Sequence, residues 1–216
     1  MNVGELKGAH VTKIISNLRP KLCIELGSYV GYSTILFGSA VKDAAAAAGE
    51  GGARYYCLEY NPVFAGIVMA LVSLAGLDDV VKVVIGSSSS SLSRLAQEGV
   101  FKDGVDFMFL DHLKPLYKPD LLLSEGLGII RVGTVLVADN MISPGNPPYH
   151  TYVNMSPALK AAMAEEEGLE EGNPARGDPS LIYENEWIDS WEPQAVRVSE
   201  RHLLGYGQNW LMIIDW

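Results

Sequence analysis

At 216 residues and 23.4 kDa the chain has the length of one domain with a sizeable core. Its 48% hydrophobic and 19% charged residues exclude a disordered polypeptide, and its net charge of −10 excludes broad nucleic-acid binding, which needs a basic face. No basic-then-apolar leader opens the chain and no apolar run approaches membrane-spanning length, so the expectation is a soluble cytoplasmic protein without membrane contact.

In chain order, residues 1–17 read as an amphipathic helix, with Val11, Ile14, Ile15 and Leu18 three or four apart. The two glycines of the opening, MNVGELKG, suggest a segment lying over a site, although by its own residues it reads as a frayed start. The stretch from Lys21 to Ala40 organises the rest. Leu22 to Leu26 form a buried strand, Gly27 punctuates it, and apolar residues at helical spacing begin after Gly31. The spacing is Glu25-x-Gly27-x-x-x-Gly31, and the absent G-x-G-x-x-G disfavours a nicotinamide dehydrogenase. A carboxylate just before the first glycine suits a cationic ligand, and S-adenosylmethionine carries both an ammonium and a sulfonium. The competing reading is a turn that serves only tight packing.

Arg54 to Leu58 form a second strand that closes on Glu59, where a carboxylate can accept from ribose hydroxyls or be an ordinary strand-end charge. Cys23 and Cys57 fall in buried strands and read as reduced core residues. Asn61-Pro62 starts a helix, and Val80 to Ile85 form a third strand. Ser87 to Ser91 read as a cap and turn, with Ser88 placed to meet an adenine edge; Leu92 to Gln97 follow as a short helix.

Val105 to Leu110 form a fourth strand that runs into Asp111-His112-Leu113-Lys114. A helix over Tyr117 to Gly126 and a strand over Thr134 to Ala138 lead to Asp139-Asn140. Such alternation predicts an α/β fold with a mainly parallel sheet, whose ligand crevice lies beyond the carboxyl ends of the strands. Glu25, Glu59, Asp111, Asp139 and Asn140 all fall at that edge. Asp111, Asp139 and Asn140 offer three oxygen ligands for Mg²⁺, or an Asx turn in the case of the Asp-Asn pair. Lys114 beside them is either a general base or a solvated loop lysine.

Towards the C-terminus, Ser156 to Glu167 read as a helix, and Ala195 to Gly205 with Trp210 to Asp215 read as a closing hairpin. Between them residues 168–193 are long, acidic and aromatic. Tyr183, Trp187 and Trp191, spaced by four, suggest one helical face. The segment either covers the pocket, pairs with a second subunit in a homodimer, or is a core-packing excursion.

Together MNVGELKG, IELGSYVGYS, LEYNP, FLDHLK and VADN, with Pro-Gly shortly after, resemble the catechol O-methyltransferase family over residues 1 to about 148. The resemblance implies a single class I, Rossmann-like methyltransferase domain over 1–216, with a seven-stranded, mainly parallel sheet and helices on both faces. It implies transfer of a methyl group from S-adenosylmethionine to one hydroxyl of a Mg²⁺-chelated catechol. Carried over by position, Val3, Glu25, Gly27, Tyr29 and Ser33 would lie along the methionine part of the cofactor. Glu59 would hold the ribose, with Tyr60 and Ser88 near the adenine, and Asp111 and His112 would line the cofactor. Asp111, Asp139 and Asn140 match the metal ligands, Lys114 the general base, and Pro144 a wall of the substrate pocket.

The chain departs from the family at three places. The family's helices before the MNVG-like motif are absent from this sequence, its catechol-flattening aromatic is replaced by Leu113, and its late glutamate falls near Glu200 or His202. A related cation-dependent O-methyltransferase acting on acyl-thioester or phenolic vicinal hydroxyls is the next reading. A catalytically weak cofactor-binding protein is the third.

Overall fold

The computed structural model describes residues 3–141, 145–190 and 209–215. Five strands form its parallel part: β1 (Leu22–Leu26), β2 (Arg54–Glu59), β3 (Val81–Ile85), β4 (Phe107–Leu110) and β5 (Val135–Ala138). Strand β7 (Asn209–Asp215) pairs antiparallel with β5, and β6 (Glu184–Ser190) pairs antiparallel with β7, in the order β3-β2-β1-β4-β5-β7-β6. The order reverses between β1 and β4, where Leu26 is in register with Leu110. Crossovers on either side of such a point leave opposite faces of the sheet, so a crevice opens beyond the carboxyl ends of these two strands.

Alternation along the strands builds two cores. Ile24, Leu26, Met108, Leu110, Leu136 and Ala138 face one side. There they meet helices α4 (Ser88–Gln97), α5 (Tyr117–Gly126) and α6 (Pro147–Val153). Cys23, Phe107, Phe109 and Val137 face the other side, against α1 (Glu5–Leu18), α2 (Tyr32–Ala47) and α3 (Pro62–Leu74). Strands β4 and β5 are buried at every position, as parallel strands covered on both faces must be. Both cysteines are free and buried. Gly8 lets α1 close on α2, since a Cβ there would lie 2.7 Å from a Leu36 methyl.

The C-terminal part differs from the sequence expectation. Glu184 to Ser190 form a strand, β6, that pairs with β7, so Tyr183 and Trp187 do not share a helical face. Helical spacing of three aromatics lost to sheet pairing, which only the distant partner β7 can supply. Residues 195–205 and Trp191 lie outside the described residues. Helix α6 was not anticipated, because its polar, proline-led sequence carries little periodicity. Helix α4 starts at Ser88, capped by the Ser87 hydroxyl, earlier than the expected Leu92.

Before β6 the chain is fastened to the α5–α6 face. Tyr152 and Tyr183 donate their hydroxyls to Glu125, and the Asp178 amide donates to the same carboxylate at 3.1 Å. Helix α7 (Pro157–Glu166) contributes Lys160, which donates to Leu181 O at 2.8 Å with its ammonium over both tyrosine rings. Leu181 and Tyr183 are buried in the core. No described helix is long and apolar enough to cross a membrane.

Candidate active site

The crevice at the β1–β4 switch point is a cavity of about 380 Å³. Gly27, Tyr29, Glu59, Tyr60, Phe64, Ser88, Asp111, His112 and Leu113 contribute to its lining. Its floor depends on Gly27, whose φ is +85°. A Cβ at that residue would lie 2.8 Å from both Asp111 O and His112 Cα, so only glycine lets the β1 turn sit against the end of β4. Tyr29 next to it is also left-handed, with φ +51°, and its ring meets Phe64 edge-on at 4.9 Å.

Glu59 is buried at the end of β2 and organises this turn. Its Oε2 accepts from Ser28 N, Ser28 Oγ and Tyr29 N at 2.9–3.2 Å, and its Oε1 accepts from Asn61 N at 2.8 Å. Glu25 lies beneath the turn, fully buried, and does not line the cavity. Ser33 Oγ donates to it at 2.5 Å and Thr34 Oγ1 at 2.6 Å. Burial outweighs those donors and pushes the Glu25 carboxyl up to about 7. Val3 is buried against the α1–α2 side, and Ser33 is occupied by Glu25.

On the opposite wall the His112 ring stacks on Tyr117 at 4.8 Å. Its Nε2 is 2.9 Å from Asp120 Oδ2, which also accepts from the Ser88 hydroxyl. Ser88, expected near the adenine, and His112, expected to line the cofactor, are thus locked together through one buried carboxylate. Tyr60 and Leu113 stand open at the rim, 77% and 66% exposed.

Beside the cavity, at the ends of β4 and β5, is a cluster of charges. Lys114 Nζ lies 3.3 Å from Asp111 Oδ1, 3.2 Å from Asp139 O and 2.5 Å from the Tyr117 hydroxyl. Burial lowers the Lys114 pKa, against the opposing pull of Asp111 and Asp139. Burial first, and then the Asp139 charge, push the Asp111 carboxyl up. Asn140 takes a left-handed φ of +59°, and its amide donates to Asp139 Oδ1 at 2.7 Å. Asp111 belongs to both the cavity and the cluster.

Three participants were not singled out from the sequence. Lys7 of α1 is 1% exposed, and its Nζ lies 2.5 Å from Asp139 Oδ1. Its signal was present: Lys7, Val11 and Ile15 recur every four residues and share the buried face of α1. Tyr117 donates to Leu110 O at 2.6 Å and so fixes the hydroxyl that Lys114 meets. Asn146 donates from Nδ2 to Lys114 O at 2.7 Å, holding the lysine backbone. Pro144, Glu200 and His202, expected in the substrate pocket, lie outside the described residues.

The donor set suits a hard divalent cation. Asp111 and Asp139 come from adjacent strand ends and repel each other, and Asn140 adds an amide oxygen. Among the described residues no three His, Cys, Asp or Glu side chains converge as a metal site.

A family profile described as a methyltransferase domain matches residues 24–141. Catechol O-methyltransferase B of Danio rerio is 40% identical over 162 residues, covering 74% of this chain and 58% of the relative. Catechol O-methyltransferase of Sus scrofa is 39% identical over 153 residues, covering 71% of this chain and 77% of that one. The chain spans little more than half the length of the first curated relatives it matches, 58% for Danio rerio and 53% for Bos taurus. In fold it is similar to an O-methyltransferase from Bacillus cereus solved in complex with SAH, with a TM-score of 0.62 at 18% identity over 97% of this chain and 80% of that one. With the five motifs, the switch-point cavity and these relatives in agreement, the chain belongs to the catechol O-methyltransferase family of methyltransferases.

Proposed function

We propose that the protein transfers a methyl group from S-adenosylmethionine to one hydroxyl of a small catechol, with Lys114 as general base and a divalent cation held by Asp111, Asp139 and Asn140. One observation carries this reading. Asp111 forms both a wall of the cavity beneath the Gly27 turn and the carboxylate that meets Lys114. A donor bound in that cavity and an acceptor beside Lys114 are therefore neighbours by construction, which turns a bimolecular encounter into an oriented one.

S-adenosylmethionine supplies an electrophilic methyl group, and a bound Mg²⁺ supplies Lewis acidity that stabilises a phenolate. The protein's own residues do the rest. Glu59 and the Ser88–Asp120–His112 chain shape the cofactor's nucleoside end. Burial favours the neutral amine of Lys114, and its Nζ, steadied by the Tyr117 hydroxyl, takes the proton from the attacking hydroxyl. The wide rim at Leu113, where the family places an aromatic, supports a second reading with bulkier phenolic or acyl-thioester acceptors.

The test is methylation of a simple catechol with Mg²⁺ and with a chelator. Metal-dependent turnover that falls roughly 100-fold or more in Lys114→Ala, as loss of a general base predicts, supports the mechanism. Turnover indifferent to chelation overturns it. Cofactor binding without turnover on any vicinal diol leaves a binding protein.

A further inference from the structure

Lys7 of α1 reaches the charge cluster, and Val3 just before α1 is buried in the same core as Val11 and Ile15. Its position is expensive. An ammonium buried to 2% has left water, and its return is the ion pair with Asp139, itself 2% exposed. Asp139 Oδ1 accepts from both Lys7 Nζ and Asn140 N, two donors that hold the carboxylate in place. Lys7 is the ammonium paired with the Asp139 carboxylate.

We propose that Lys7 is a positioning residue: it aims Asp139, supplies that carboxylate's counter-charge in the cation-free protein, and ties α1 to the end of β5, so that divalent-cation binding and the docking of α1 are linked through one carboxylate. The first two roles rest on the cation reading of Asp111, Asp139 and Asn140; the tie to α1 does not. Removing Lys7 leaves a buried carboxylate without its counter-charge, and a cation then gains what the ammonium supplied. At the effective dielectric of a partly buried site, one neighbouring unit charge is worth several-fold in affinity at the least. The same removal frees the Asp139 side chain to rotate, which lowers turnover even where the cation binds more tightly. A residue that merely supported the fold would weaken both together.

The experiment compares wild type, Lys7→Met and Lys7→Arg for Mn²⁺ affinity, turnover at saturating Mn²⁺, and hydrogen exchange of α1 amides in metal-free protein. Lys7→Met is expected to bind Mn²⁺ roughly fivefold or more tightly, to turn over at least about tenfold more slowly, and to exchange faster along residues 5–18. Lys7→Arg, which keeps the charge, is expected to restore the wild-type affinity. Unchanged or weaker Mn²⁺ binding in Lys7→Met overturns the proposal, as does unchanged α1 exchange. If Lys7→Met fails to fold, the double variant Lys7→Met/Asp139→Asn removes both charges. Compared with Asp139→Asn alone, α1 exchange that Lys7→Met does not raise further confirms the tie, and an additive rise refutes it. Failure of wild type itself to bind Mn²⁺ is a different result: it refutes the cation reading and with it the first two roles, while α1 exchange still decides the tie.

Discussion

Glu25→Gln gives the sharpest test of the cofactor-side electrostatics. Glu25 is fully buried, and its carboxyl is pushed up to about 7 from an ordinary 4.5 because burial penalises the ion more than Ser33 and Thr34 stabilise it. A carboxyl whose pKa is raised by folding binds more protons in the native than in the unfolded state. Its stabilising contribution is therefore complete below pH 4.5 and is lost as pH rises towards 7. At 1.36 kcal/mol per pH unit the loss is on the order of 3 kcal/mol for a group with no solvent to screen it. Glutamine keeps the shape and one of the two accepting oxygens, turns the other into an NH₂ donor at a cost that does not vary with pH, and cannot ionise. Urea unfolding of cofactor-free protein from pH 4 to pH 8 is expected to show the variant gaining on wild type by about 3 kcal/mol, nearly all of it between pH 4.5 and 7. If Glu25 also holds the ammonium of S-adenosylmethionine, saturating cofactor at pH 8 cancels that advantage. A difference between the two proteins that stays flat across this range would refute the reasoning.

The other expectations concern packing and local geometry. Gly27→Ala places a methyl 2.8 Å from two backbone atoms at a left-handed residue, so about 2 kcal/mol of stability and at least tenfold in S-adenosylhomocysteine affinity are expected to be lost, read by urea denaturation and calorimetry. Gly126→Ala drives a methyl to 2.6 Å from Pro174 Cα; it is expected to lower the melting temperature by several degrees while leaving cofactor affinity unchanged, since that contact is remote from the cavity. Tyr152→Phe removes a charge-assisted donor to buried Glu125, and an equilibrium loss of about 2 kcal/mol without change in cofactor affinity is expected.

What the sequence by itself determined is local and periodic. Buried parallel strands write themselves as short apolar runs, and β2 ends on Glu59 while β4 and β5 run into Asp111 and Asp139, so β1 to β5 and that acidic edge were legible without coordinates. The Gly27 turn was legible too, because few residues tolerate its geometry. Tertiary structure decided whatever depends on a distant partner. The segment at Glu184 to Ser190 is a strand because β7 pairs with it, against an aromatic spacing that reads as helical. Glu25 lies under the turn rather than in the cavity, because burial is set by how α2 closes over β1. Lys7 looked like part of a frayed start, yet it is a buried counter-charge 132 positions from Asp139. An ammonium written on a helix face has no visible purpose until the fold brings the carboxylate that removes it from water.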